Sequence, residues 1–158
     1  MSIISACLSV LTQVIDNNIT FDKACQPIQK DRAIVYTLCH GVLKNWPRNC
    51  LYLSLLVATP LKNKNRDIEY LIRLGLFQLE DAQRPAAIII NELVGFCKKS
   101  WAKPVINGCL RRFSREQKAI ISQLTNHDQF RFNQMPWFIK ETQKSHPEHW
   151  QDHLNTLI

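Results

Sequence analysis

The sequence predicts an all-α fold, on three observations. Apolar residues recur three and four positions apart along almost all of its 158 residues, which is the spacing of amphipathic helices. Only four glycines and seven prolines are present, so few tight turns are available. No internal repeat and no convincing pair of strands interrupts the pattern. At 46% hydrophobic and 21% charged residues, the chain has the composition of a folded soluble domain with a substantial core.

The apolar stripes, together with start and stop signals, divide the chain into about eight or nine helices. We expect the helix at 67–80 to be central, because it is largely apolar, and a loop at 125–134. The predicted helical segments are 4–15, about 22–29, 31–43, 47–56, 67–80, 86–99, about 102–122, 136–144 and 147–156.

Two capping-box patterns refine this division. Ser114 with Gln117 predicts a break inside the helix at 102–122. Ser145 with Glu148 predicts the start of the last helix.

The cysteines indicate a reducing compartment. None of the six forms a CxxC pair, and most lie within apolar helical stripes. Buried free thiols explain this placement better than disulfides or a zinc site. No apolar run reaches the roughly 18 residues that a membrane span needs, so we expect a cytoplasmic protein with no membrane partner.

The positive charge is clustered. The formal net charge is +7, which predisposes the chain to an anionic partner, either nucleic acid or a membrane surface. Residues 44–66 contain five basic side chains and no acidic one, and residues 98–118 contain seven against the single Glu116. This clustering favours contact with RNA phosphates; the alternative is a plain solvated face. Trp46 and Trp101 lie among these cations, either as platforms for unpaired bases or as structural anchors.

No enzymatic site can be built from the residues. The chain lacks a GxGxxG turn, a P-loop and a GxSxG motif. His146, His149 and His153 have a spacing that metal ligands can use, but an exposed helix that carries histidines explains them better, and we expect no metal site. His40 has no acid or nucleophile that can be paired with it from sequence.

Four segments carry a family likeness: LCHGVLK (38–44), YLIRLGLFQL (70–79), INELVGFCKK (90–99) and VINGCLRRF (105–113). In this order and spacing they resemble the NusB-type RNA-binding fold. That fold serves transcription antitermination factors and also forms the N-terminal domain of the Sun/Fmu ribosomal RNA methyltransferases. The resemblance implies a helical bundle, with Asn107, Gly108 and Leu110 as its structural fingerprint.

The C-terminal part resembles the second branch. Residues 135–157 are similar to the linker helices of the 16S rRNA cytosine-C5 methyltransferases. The resemblance therefore implies an RNA-binding domain at 1–124 and linker helices at 125–158. It implies 16S rRNA and a C-terminal methyltransferase domain as partners.

The same resemblance assigns catalysis elsewhere. The enzymes bind S-adenosylmethionine in a separate domain and attack with the cysteine of a Pro-Cys motif, and this chain has no such motif. We therefore expect it to be non-catalytic alone, without a cofactor. The alternatives are a protein-docking module and a free-standing antitermination factor.

Residues 1–22 contain no Lys or Arg, so any RNA contact shifts to the later basic blocks. We expect Gly108 to lie at a helix crossing, Asn107 to satisfy a buried backbone group there, and Arg111 and Arg112 to reach the surface. The predicted RNA-binding residues are Lys98, Lys99, Lys103, Arg111, Arg112, Arg115, Lys118, Lys44 and Arg48.

Overall fold

A computed structural model describes residues 1–157, and within them the fold is all-α, as predicted. A single 3₁₀ turn, Asn63–Asn65, precedes α5. The ten α-helices are α1 (Ile3–Ile15), α2 (Phe21–Cys25), α3 (Arg32–Lys44), α4 (Trp46–Leu56), α5 (Arg66–Asp81), α6 (Ala86–Phe96), α7 (Lys103–Leu124), α8 (Asp128–Phe132), α9 (Pro136–Ser145) and α10 (Trp150–Asn155).

Nine of these helices lie where the sequence predicts them. The tenth, α8, lies in the predicted loop at 125–134, and that loop assignment is wrong for its five residues. The predicted break in α7 is confirmed as a kink at Glu116, where φ is −111° and ψ is 18°. The second capping-box prediction is wrong, because α10 begins at Trp150 and His149 precedes it without a side-chain cap.

The central helix is α5, which packs against α1, α3, α6 and α7. Its middle is buried on every side, including six consecutive residues from Leu71 to Leu76. Burying one aliphatic side chain of this kind contributes roughly 1.5–3 kcal/mol. Asp67 and Glu69 lie in its first turn, where their negative charges interact favourably with the positive end of the helix dipole. The apolar pattern of 67–80 thus predicted the central helix of the main bundle.

Two glycines of the bundle allow close approach between helices. A Cβ added at Gly75 would lie 2.6 Å from both Cδ atoms of Leu110 and 3.0 Å from Cδ1 of Leu93. Leu110 belongs to α7 and Leu93 to α6, so both neighbours pack directly on the backbone of α5. At Gly41 in α3, a Cβ would overlap the ring of Phe77.

Substituting Gly75 tests this packing. We expect Gly75→Ala to lower the free energy of unfolding, because overpacking a closed core costs about 1–3 kcal/mol and helix propensity returns only about 1 kcal/mol. Gly108→Ala is the matched control, since a Cβ there meets no atom within 4 Å. Urea denaturation should therefore show changes of opposite sign. A stabilised Gly75→Ala variant would contradict the close packing of α6 and α7 on the backbone of α5.

A second, smaller apolar cluster lies at the C-terminal end. It contains the buried side chains of Phe132, Ile139 and Leu154, with Phe138 and Trp150 packed against them. This cluster lies wholly within 125–158, the segment predicted as linker helices, and the boundary at 124 stays a prediction.

Three hydrogen bonds join α8 and its C-terminal end to the start of α4 and the end of α3. Gln129 Nε2 donates to the Pro47 carbonyl at 2.7 Å, and Arg48 Nε donates to the Phe130 carbonyl at 2.8 Å. Asn133 Nδ2 donates to the Lys44 carbonyl at 3.0 Å. The smaller cluster is therefore tethered to the main bundle by hydrogen bonds to backbone carbonyls and by Phe130 of α8, which packs against the main core.

The six cysteines are free thiols, and five of them are buried, which confirms that prediction. Burial raises the pKa of the Cys25 thiol, so it stays protonated at neutral pH. Among the helices of residues 1–157, none combines the length and the apolar character that a membrane crossing requires.

Candidate nucleic-acid interface

A groove of about 1030 Å³ lies on the surface of the main bundle, and we call it the Trp101 groove. It lies between the α4–α5 connection, the α6–α7 connection and the first half of α7. The residues that line it are Leu56, Val57, Ala58, Thr59, Pro60, Leu61, Lys62, Lys64, Asn65, Lys99, Trp101, Pro104, Val105, Gly108 and Cys109.

The lining combines an apolar surface with cations. Leu56, Val105 and Cys109 are among its apolar members, and Lys62 and Lys64 are exposed beside them. None of these lining residues is acidic. A surface of this kind suits a ligand that has apolar faces and negative charges.

Lys99 joins the two connections across the groove. Its ammonium group donates to the Lys64 carbonyl at 3.3 Å, to Asn65 Oδ1 at 3.2 Å and to Asp67 Oδ1 at 3.1 Å. The ammonium group of Lys99 therefore mainly holds these two parts of the chain together. By contrast, Lys62 and Lys64 form no salt bridge within 4 Å in the described part of the chain, and their charges remain available to a ligand.

The arginines of α7 continue the positive surface. Arg111, Arg112 and Arg115 are all exposed, as predicted for the first two. Arg112 Nη1 donates to the carbonyl of Leu55, which precedes the groove residue Leu56, at 3.1 Å. Arg112 and Arg115 share one carboxylate, that of Glu116, at 3.4 Å and 3.5 Å. Only one carboxylate accompanies the three arginines, so the local charge stays positive.

The expected roles of Asn107 and Gly108 are wrong. Gly108 is exposed and lines the groove, and a Cβ there would meet no atom within 4 Å, so no helix crosses at this position. Asn107 accepts a hydrogen bond from Arg111 Nε at 2.9 Å instead of satisfying a buried backbone group. The crossing is at Gly75, and it is the fully buried Leu110 that packs there.

Three of the remaining predicted residues lie on or beside the same block. Lys98 is exposed just after α6, and Lys118 is exposed beyond the kink of α7. Lys103 Nζ donates to the Val94 carbonyl of α6 at 3.4 Å, so it helps to hold the two helices together.

Lys44 and Arg48 are not brought to the groove. Both line a separate depression with residues of the α8–α9 connection. Arg48 also lies over the ring of Phe130, 5.0 Å from its centroid, in addition to its bond to that residue's carbonyl. Both contacts of Arg48 position Phe130, and RNA binding by Lys44 and Arg48 stays a prediction.

The two tryptophans have different environments. Trp46 is partly buried, with the guanidinium of Arg73 3.6 Å from its ring centroid, which agrees with the anchor interpretation. Trp101 is 54% exposed in the groove, which agrees with a platform for a ligand. Sequence position alone did not separate them, because both lie between two basic residues.

The C-terminal histidines and Cys109 are the side chains that concern metal binding and nucleophile chemistry. The rings of His146 and His153 stack at a centroid distance of 4.7 Å, and no group of three potential ligands in residues 1–157 is arranged to hold a metal. In the groove wall, burial raises the pKa of the Cys109 thiol, while the charge of Arg112 acts in the opposite direction. Cys109 therefore stays a neutral thiol near pH 7.

The chain is similar over nearly all its length to larger proteins. It is 33% identical to the ribosomal RNA small subunit methyltransferase B of Vibrio cholerae, over 96% of this chain and 37% of that protein. The proteins of the same name from Enterobacter sp. strain 638 and from Escherichia coli O6:H1 are each 31% identical, over 93% of this chain and 36% of theirs. The chain thus spans little more than a third of the length of these relatives. Residues 5–115 match the NusB family, and the chain belongs to that family.

Proposed function

We propose that this chain is the rRNA-binding part of a 16S rRNA cytosine-C5 methyltransferase and does not methylate RNA by itself. The observation that carries the proposal is the Trp101 groove, a cavity with lysines and no acidic side chain in its lining, continued by the exposed arginines of α7. The similarity to ribosomal RNA methyltransferases over 93–96% of the chain supports rRNA as the partner.

Phosphate neutralisation is the physical basis of this function. Each Lys or Arg that neutralises a phosphate releases condensed counterions, which yields affinity that falls steeply with salt. Contacts of this type set the position of the RNA without reading its sequence. Lys62 and Lys64 of the groove and Arg111 of α7 are exposed and have no carboxylate partner within 4 Å among residues 1–157, so we assign them the strongest contributions on this surface.

Catalysis is assigned to a methyltransferase domain that acts together with this chain. We assign no S-adenosylmethionine to the Trp101 groove, because the described lining offers no carboxylate for a ribose hydroxyl and only one glycine, Gly108. In the sequence, none of the six cysteines follows a proline. Under this proposal the protein works in the cytoplasm, where ribosomal RNA is modified.

A free-standing antitermination factor is a weaker proposal. The similarity to methyltransferases continues past the segment 105–113 into the C-terminal helices. This extension supports the methyltransferase assignment.

A docking module has one observation in its favour. Ile34 and Ile88 are exposed by 49% and 47%, beside a depression between α1, α3, α5 and α6. Exposed isoleucines of this size can serve protein contact. Charge reversal on α7 separates the two functions, since docking through these isoleucines does not depend on Arg111 or Arg112.

Fluorescence anisotropy tests the RNA proposal. A labelled small-subunit rRNA hairpin and a scrambled control are titrated with the chain across a salt series. We expect Arg111→Glu/Arg112→Glu to weaken binding about 10- to 100-fold and to reduce the log–log salt slope by about 1 to 2.

The matched control is Lys23→Glu/Lys30→Glu, which changes the net charge equally at exposed positions that do not line the groove. It should change the affinity much less. Equal losses of RNA affinity in the two double variants would show that the effect comes from the overall charge of the protein and not from the position of the arginines. Absence of binding to either RNA at low salt would overturn the proposal.

A further inference from the structure

We propose that the Trp101 groove binds single-stranded RNA, with an unpaired base stacked on Trp101 and its backbone phosphates held by Lys62 and Lys64. This inference rests on the proposed function and specifies the form of RNA that the site accepts. It assigns Gly108 the role of leaving room for the base.

Trp101 is the most unusual feature of the groove. An indole with about half its surface in water is an apolar group that folding has left without a partner. Its neighbours in the chain are nevertheless well held. Ala102 is fully buried and donates its backbone N–H to the Lys99 carbonyl at 2.9 Å, and the Lys99 side chain is bonded at three points. The backbone therefore presents the indole in a defined position, as a stacking platform requires.

The charges select an anionic ligand. Lys62 and Lys64 belong to the α4–α5 connection, and Trp101 belongs to the α6–α7 connection, so the aromatic ring and the free cations come from different segments that line one cavity. A nucleotide matches this arrangement, because it combines a flat apolar base with a negative phosphate. An acidic peptide matches the cations, but its Asp and Glu side chains supply no flat apolar face for the indole.

The base must be unpaired to enter. In a double helix the faces of the bases are covered by their stacked neighbours, and the A-form grooves expose only edges, sugars and phosphates. The internal part of a duplex could therefore touch the lysines but not the indole. Single-stranded loops and ends present free faces, and aromatic side chains bind them without strong sequence preference.

Gly108 completes the assignment. Glycine is a poor helix former, yet Gly108 lies well inside α7 and has nothing near the place where a Cβ would stand. Packing therefore does not require it. Because it lines the groove, any larger side chain would project into the space that we assign to the base.

Two leucine substitutions test the site with a matched control. Gly108→Leu fills the groove, whereas Gly95→Leu adds the same side chain to α6 at an exposed glycine that also has open space and does not line the groove. Both exchange glycine for a good helix former, so neither should lower the thermal stability. We expect Gly108→Leu to weaken binding of a labelled single-stranded RNA of about ten nucleotides at least about 10-fold, and Gly95→Leu to leave it unchanged.

Replacing the indole tests the stacking. Trp101→Ala should weaken binding of the single-stranded RNA by about 5- to 150-fold, the effect of losing one stacked base. Trp101→Phe should retain most of the affinity. Binding of an RNA duplex of about 20 base pairs should change less than about 2-fold in both variants, since only its two terminal pairs offer a free base face.

The outcomes distinguish this inference from the proposed function. If the wild-type chain binds neither RNA, both fail. If Arg111→Glu/Arg112→Glu weakens RNA binding but Gly108→Leu and Trp101→Ala do not, the RNA lies elsewhere on the basic surface and only the inference is overturned. Equal losses for single-stranded and duplex RNA would also overturn it, because the groove would then not select unpaired bases.

Discussion

Replacing Arg73 with alanine is expected to lower the free energy of unfolding by about 3–5 kcal/mol. Arg73 lies in the middle of α5 and is only 5% exposed. Its guanidinium donates to Glu69 Oε2 at 3.0 Å and to the buried Asn49 Oδ1, and it lies over the ring of Trp46. One cation thus connects the central helix to the first half of α4.

The expected loss of stability is large because Arg73→Ala leaves two polar partners without the guanidinium. Removing one partner of a buried ion pair leaves the other charge poorly solvated, and here that charge is Glu69, about a quarter exposed. Asn49 is also buried, and its Oδ1 would lose the guanidinium as hydrogen-bond donor. An unpaired buried acceptor costs about 1–3 kcal/mol where no water reaches it, and this cost is part of the expected total.

Urea denaturation with a matched arginine measures this effect. Arg84 forms a two-point pair with Glu92 at 2.9 Å, but both side chains are almost half exposed. We expect Arg84→Ala to cost less than about 1 kcal/mol, as exposed pairs do. If Arg73→Ala costs no more than Arg84→Ala, the buried network does not stabilise the bundle.

Helical periodicity predicted most of the fold because the long helices bury apolar residues that recur at helical spacing. It failed for α8, whose five residues are too short to establish a period of 3.6. Periodicity also could not show which glycine lies at a close contact between helices. Gly75 and Gly108 both lie within apolar stripes, and only the packed structure shows that Leu110 touches the first while the second faces an open groove.

The charge pattern indicated the basic surface but not which of its residues lie next to one another in the fold. Lys62 and Lys64 lie in the acid-free stretch 44–66, which was the available signal, yet nothing local joins them to Trp101 nearly forty residues later. That connection depends on the tertiary bonds of Lys99. Conversely, Arg48 counted as a free cation in the sequence, and the fold uses it to hold Phe130.

The two apolar clusters lead to a prediction about cooperativity. Phe132 is fully buried in the C-terminal cluster, where its ring meets that of Trp150 edge-on at a centroid distance of 5.5 Å. Truncating a buried phenylalanine to alanine costs about 3–5 kcal/mol. A cluster with three buried members has little stability in reserve, so we expect Phe132→Ala to unfold α9 and α10 locally.

Amide hydrogen exchange measures this directly. In Phe132→Ala, the protection of α9 and α10 should fall while that of the central helix α5 is retained. The comparison is Phe113→Ala, which removes a fully buried ring of the main core, 4.8 Å from that of Tyr52. It should lower protection throughout the bundle. If Phe132→Ala reduces the protection of α5 as much as that of α9, the chain unfolds as one unit, and the division at residue 124 is wrong. If it does not, the C-terminal helices can open without disturbing the Trp101 groove, because the residues that line it belong to the main bundle.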